Sequence, residues 1–140
     1  MNPVTEDVKD QLVSENSMTF AGTGDWAIYI ARMPDVGDVS DRIVLLRDTI
    51  APEPLRFQNR SIESLHMEQI QIQVRGKTYL ETKSKIDDIA GYIKGWGRFT
   101  TGDGVNYKGI FAVSDAMFLK QDENLRFHWV QNFQAYREQK

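Results

Sequence analysis

MEQIQIQVRGKTYLETKSKIDDIAGYI, residues 67–93, contains a change of hydrophobic period on which the fold depends. From Met67 to Arg75 the residues alternate, with Ile70, Ile72 and Val74 on one side and Gln69, Gln71 and Gln73 on the other. Successive side chains of a strand point to opposite faces, so this stretch reads as a half-buried strand with one polar face. Gly76 breaks the pattern, and Thr78 can cap a helix running to about Lys94. Leu80, Ile86, Ile89, Ala90 and Ile93 then recur at roughly helical spacing, with Lys83, Lys85 and Asp88 outward.

C-terminal to this unit, residues 95–114 predict two strands around the Asp103-Gly104 turn, a strong hairpin signal. Asp122-Glu123-Asn124 marks another turn, and residues 125–135 a final strand with Leu125, Phe127, Trp129, Gln131 and Phe133 on one face. On the N-terminal side, residues 4–16 predict a helix. Thr5 is its expected N-cap, Glu6 and Asp7 lie in the first turn where the helix dipole favours carboxylates, and Val8, Leu12 and Val13 form its apolar stripe. A polar, glycine-containing linker follows. The apolar runs at 26–32 and 42–47 are expected to form an antiparallel pair around the Pro-, Gly- and Asp-bearing stretch between them. Residues 48–65 show no period and read as a long loop.

The order is therefore α, β-β, loop, β, α, β-β-β: an α+β fold with helices packed on an antiparallel or mixed sheet. At 140 residues the chain is the length of a single domain, with residues 1–22 as helix and linker and 26–135 as the α+β core. A chain of this size buries roughly 70% of its unfolded surface. Apolar residues make up 41%, and no apolar run approaches the ~20 residues of a membrane span. The acidic start of the chain lacks the layout of a secretory signal. Cysteine is absent, which excludes a disulfide framework, a thiol nucleophile and sulfur-based zinc sites. A net charge of -3 and a pI near 5.4 argue against a dedicated nucleic-acid binder.

Catalytic and ligand motifs are weak. Gly76-Lys77-Thr78 looks like the end of a phosphate-binding loop, but the glycine that such a loop needs five positions earlier is Gln71, inside a strand. His66 and His128 lie far apart without helical partners, and Asp35, Asp38 and Asp41 lack the spacing of a calcium loop. Asp87 and Asp88 are adjacent on a helix and cannot share one proton-transfer site. Tyr107, Phe111, Phe127, Trp129 and Phe133 read as core aromatics. No enzymatic activity, cofactor or metal is expected.

The segment from Ile70 to Ile93 resembles the tail-terminator, or minor capsid, family of long-tailed bacteriophages through Gln71, Val74, Arg75, Gly76 and Tyr79. Residues 107–133 are similar to that family's closing strands, with Tyr107, Ile110, the Asp122-Glu123-Asn124 turn, Arg126 and Asn132-Phe133 in order; residues 26–30 and Met33-Pro34 also fit. Lys120-Gln121 departs from the glycine usual just before the Asp of the last turn. The resemblance implies an α+β, non-enzymatic virion subunit at the head-proximal end of the tail, made in the host cytoplasm. It implies a homo-oligomeric ring, a hexamer, that caps the tail tube protein and meets the head–tail connector or stopper, with DNA passing through unbound. Another head–tail joining part (a stopper or completion protein) is the alternative within this class, and a small-ligand-binding α+β domain the one outside it.

Charge placement fits such packing of like subunits. Residues 1–25 carry five carboxylates against Lys9, and residues 75–98 six basic groups against three acidic ones. Two solvated helix faces would give the same pattern. In the loop at 48–65, Pro52 and Pro54 disfavour sheet pairing, and Arg56 and Arg60 flank Phe57, a combination enriched at interfaces. Packing against the domain's own core is the other reading of that loop. The expected subunit-contact residues are Arg56, Phe57, Arg60, Arg75, Lys77, Lys83 and Lys85.

Overall fold

The computed structural model describes residues 1–16, 19–20, 26–31, 41–49 and 65–139. Two helices, α1 (Val4–Asn16) and α2 (Tyr79–Trp96), accompany eight strands. The strands are β1 (Thr19–Phe20), β2 (Ala27–Ile30), β3 (Ile43–Asp48), β4 (Leu65–Gly76), β5 (Phe99–Thr100), β6 (Val105–Ala112), β7 (Met117–Gln121) and β8 (Phe127–Gln139). Seven of them follow one another in the order β1-β2-β3-β4-β8-β6-β5, and β7 pairs with β8 off that path. The chain is thus a single-domain α+β fold on a mixed sheet.

The long strand β8 is the axis of the sheet. One of its edges pairs antiparallel with β4 from Gly76↔Phe127 to Leu65↔Glu138. Its other edge is divided: β6 takes the half from Phe133 onward, and β7 takes residues 127–130. The chain crosses between these halves at Ser114, whose carbonyl accepts from Gln131 Nε2 at 2.8 Å.

Both helices lie on one face of this sheet. Val4, Val8 and Leu12 of α1 and Ile86, Ile89 and Ile93 of α2 join Ile70, Ile72, Val74, Trp129 and Phe133 in one buried core. Each large aliphatic side chain removed from water there contributes about 1.5–3 kcal/mol. Leu80 does not join it. It lies in the first turn of α2 and is 75% exposed, and Thr82 fills the inward position instead. Gly76 explains that choice, because a side chain at residue 76 would run into Thr82 Oγ1 and crowd Trp26, so glycine lets α2 sit close on the end of β4.

Three local expectations are corrected. First, β2 and β3 are parallel, not antiparallel. A parallel pair needs a crossover of about a dozen residues, and the chain between Ile30 and Ile43 is long enough to make one. Second, Thr5 is inside α1 rather than capping it. Its backbone N–H and hydroxyl donate to the Asp48 carboxylate at 3.4 and 2.8 Å, so a carboxylate 43 residues away satisfies the first turn. Third, Leu125 belongs to the turn before β8, at a φ of 61° and 70% exposed, while Trp129, Gln131, Phe133, Ala135 and Arg137 are the buried inward row.

The supposed polar face of β4 is also largely buried. Ile43, Leu45, Gln73, Arg75, His128 and Val130 all lie beneath the surface on the side away from the helices. Alternation separates the two faces of a strand, but it does not say whether the polar one meets water.

Candidate functional site

The corner between β4 and α2 is closed by its own groups. Thr78 Oγ1 accepts from the Glu81 N–H at 3.1 Å, and a Glu81 carboxylate oxygen accepts from the Lys77 N–H at 3.1 Å. Arg42 holds the other Glu81 oxygen at 2.5 Å. Although burial works against it, the bonds from Arg42 and from the Lys77 and Thr78 backbone keep the Glu81 carboxyl below its ordinary range. A carboxylate thus occupies the place at the helix start where a phosphate would sit. The Gly76-Lys77-Thr78 resemblance to a phosphate loop has a capping function here.

The β7–β8 hairpin carries a second polar group of residues. The Asp122 carboxylate accepts from the backbone N–H groups of Asn124 and Arg126 at 2.9 and 3.0 Å, from Arg126 Nε at 2.9 Å, and from His128 Nε2 at 2.8 Å. Burial alone would raise its pKa, but these donors and the Arg126 charge outweigh burial and hold it well below the carboxylate range. His128 Nδ1 faces Gln73 Nε2 at 2.9 Å. With Gln73 donating, the imidazole is neutral with its proton on Nε2 and shared with Asp122. Burial lowers its pKa against the pull of Asp122. These residues line a polar cavity of about 620 Å³ with Arg47 and Lys120. Both imidazole nitrogens are thus engaged by neighbouring side chains. His66, which lies 3.7 Å from the Glu68 carboxylate, sits at the other end of β4. Among the described residues no group of acidic and histidine side chains has metal-site geometry.

A third group, missed in the sequence, lies under α1. Tyr107 Oη donates to Asp7 Oδ2 at 2.5 Å, and Arg137 Nη1 to the same oxygen at 3.3 Å and to the Asn2 carbonyl at 2.5 Å. Arg137 Nη2 donates to Glu68 Oε2 at 2.6 Å. Asp7, Tyr107 and Arg137 are buried, and burial raises both the Asp7 and Tyr107 pKa values. For Asp7, the Tyr107 hydroxyl and Arg137 only partly offset it. The separations of 100 and 130 residues leave no local signal.

The expected contact residues do not assemble into one patch. Arg56, Phe57 and Arg60 lie outside the described residues, as do Asp35, Asp38, Met33 and Pro34. Arg75 is fully buried, with Nε donating to the Asp41 carbonyl at 3.2 Å, so it serves the interior. Lys77 is exposed at the corner. Lys83 pairs with Asp87 at 2.6 Å and stands over Trp129, whereas Lys85 stands over Trp26, its pKa lowered by burial. The N-terminal carboxylates are partly consumed too, Asp7 by Arg137 and Glu6 by Lys9 at 2.9 Å.

Instead, the exposed apolar groups gather along one edge of the sheet. All five residues of β7 are exposed, including Met117, Phe118 and Leu119, and Phe111 and Val113 continue the series. Among the described residues, β7 pairs only with β8, and β6 beyond Tyr107 has no outer partner. Phe118 packs on Tyr79 at 5.4 Å and Trp129 at 5.7 Å, so the row is rigidly based. Next to it, α2 and β6 enclose an apolar groove of about 450 Å³, floored by Ile93, Ile110 and Phe133 and bordered by Lys94, Arg98 and Lys108. No protein-family model matches this sequence, and no curated protein is significantly similar to it.

Proposed function

We propose that the chain is a structural subunit of a phage tail terminator: a ring that caps the tail tube and presents a surface to the head connector. The observation that carries this reading is the open edge at β6 and β7. An exposed edge strand with three consecutive apolar residues, Met117, Phe118 and Leu119, is a liability in a protein that acts alone. In a subunit whose neighbours cover it, the same edge is the source of association energy. The resemblance carried by Gln71, Val74, Arg75, Gly76 and Tyr79 supplies the kind of assembly. The acidic net charge suits a channel through which DNA slides without being held.

The subunit does no chemistry in this role, and its partners are further copies of itself, the tube end and the connector. Negative-stain microscopy and native mass spectrometry of the purified chain over a concentration series test it, with closed rings of six copies expected. A virion reconstruction without this chain at the head-proximal end of the tail would refute the reading. A ligand-dependent rise in melting temperature without any assembly would favour a small-ligand-binding domain.

A further inference from the structure

Two surface features serve no purpose within one subunit, and they lie at opposite ends of α2. The first is Leu125 in the β7–β8 turn, a branched side chain in the left-handed backbone region at φ 61° and 70% exposed. The turn is closed by backbone bonds, Leu125 N–H to the Asp122 carbonyl and Asp122 N–H to the Arg126 carbonyl, and by the Asp122 side chain. None of these uses the leucine side chain. Glycine would adopt the turn more easily and expose nothing apolar, and a strained position that its own fold does not require points to a role elsewhere.

The second feature is the groove between α2 and β6. Its α2 wall is low at Gly91, where an added side chain would meet nothing within 4 Å. Lys108 at its border pairs with Glu138 at 2.5 Å, but Lys94 and Arg98 have no carboxylate partner among the described residues.

From these we infer that the hairpin tip of one copy docks in the α2–β6 groove of the next, with Leu125 on the apolar floor and Glu123 facing Lys94 and Arg98. The inference rests on the ring reading and names the contact that would build it. Tip and groove cannot meet within one molecule. The hairpin is fastened to the start of α2 through Tyr79, which touches Phe118 and Phe127 at 5.4 and 5.9 Å. The groove begins at Ala90, about 16 Å further along the helix. Because the knob and the socket are different surfaces, the contact is heterologous and propagates head to tail until it closes. The apolar tip with its adjacent exposed carboxylate complements the apolar floor with its cationic border.

The absence of cysteine allows a direct test. Leu125→Cys combined with Gly91→Cys in the full chain, under mild oxidation, should give a ladder of disulfide-linked species ending at the closed ring. Either substitution alone should give two-copy products at most. In the reduced protein, Glu123→Lys should raise the concentration needed for assembly at least tenfold, as should Lys94→Glu with Arg98→Glu, and all three together should restore it. Rings without a ladder, indifferent to the charge reversals, would overturn this contact and leave the ring reading standing. A chain that stays monomeric at every concentration would overturn both. Saturable decanoate binding, abolished by Gly91→Leu and accompanied by no ladder, would make the groove a small-ligand site and defeat the contact.

Discussion

Asp7 and Asp122 each face an arginine and a second donor, yet their pKa values move in opposite directions. Asp122 sits in a turn that delivers four donors from residues two to six positions away, enough to overcome the cost of burial. Asp7 is clamped between α1 and the sheet with only Tyr107 and Arg137 as side-chain donors, and burial prevails. A local turn assembles its donors with little loss of chain entropy, whereas a contact across 130 residues is made only when the whole sheet is formed. The first cluster stabilises a hairpin. The second joins the N-terminal helix to β4, β6 and β8 and depends on the complete fold.

Removing the central cation of the buried cluster should have the largest effect. Arg137→Met takes away the cation that Asp7 and Glu68 share, and the loss should be about 3–5 kcal/mol in urea unfolding followed by circular dichroism. Adding Asp7→Asn should recover part of that loss; strict additivity would mean that the two residues do not act as a unit. Asp122→Ala should cost less, about 1.5–3 kcal/mol, because it deprives Arg126 and His128 of their acceptor in a partly exposed turn.

The pH response should separate the clusters further. The Asp122 pKa is lowered by folding, so its contribution is present above its ordinary 3.8 and fades as pH falls below that value. The His128 pKa is lowered as well, so the hairpin begins to lose stability as pH drops through the ordinary 6.5. The Asp7 pKa is raised: its contribution is fullest below 3.8 and is lost as pH rises through the folded value. Between pH 7 and pH 2.5 the wild type's advantage over Asp122→Asn should therefore shrink, while wild type should gain on Asp7→Asn. Urea midpoints of the three proteins at both pH values would show it, and parallel changes would erase the distinction. The smallest effects belong to single turns. Thr78→Ala should cost about 1 kcal/mol through the lost cap. Leu125→Gly should stabilise the isolated subunit by up to about 1 kcal/mol by relieving its left-handed backbone, although the same change should weaken assembly.

The legible parts of this fold are those whose cause is local. The alternation from Met67 to Arg75, the Thr78 cap, the Asp103-Gly104 hairpin and the Asp122-Glu123-Asn124 turn all appear where their residues predict, Gly104 taking a φ of 88°. What escaped depends on partners distant in sequence. Thr5 is a sound N-cap residue by type, but Asp48 takes that role from another strand. The parallel pairing of β2 with β3 is a relation between the two strands that the pattern of neither records. Burial of Gln73 and Arg75 reflects cover on the second face of the sheet, and their polarity says nothing of it. The open apolar edge was hidden for the opposite reason: Met117, Phe118 and Leu119 look like core residues until their neighbours are counted.

The divided edge of β8 also bears on how the protein is made. Residues 127–139 pair with β4 on one side and with β6 and β7 on the other, so three strands synthesised earlier depend on a later one. Until β8 leaves the ribosome, β4 has only β3 beside it, β6 only the two residues of β5, and β7 none of its described pairings. Closure of the sheet therefore waits for the segment after residue 126, and pairings this distant in sequence are slow to form. During that interval both Met117–Leu119 and the Ile70–Val74 row face solvent with unsatisfied edges. The nascent chain is then most exposed to misassociation, so a chain lacking β8 should be a substrate for chaperones and proteases rather than a smaller version of the same domain.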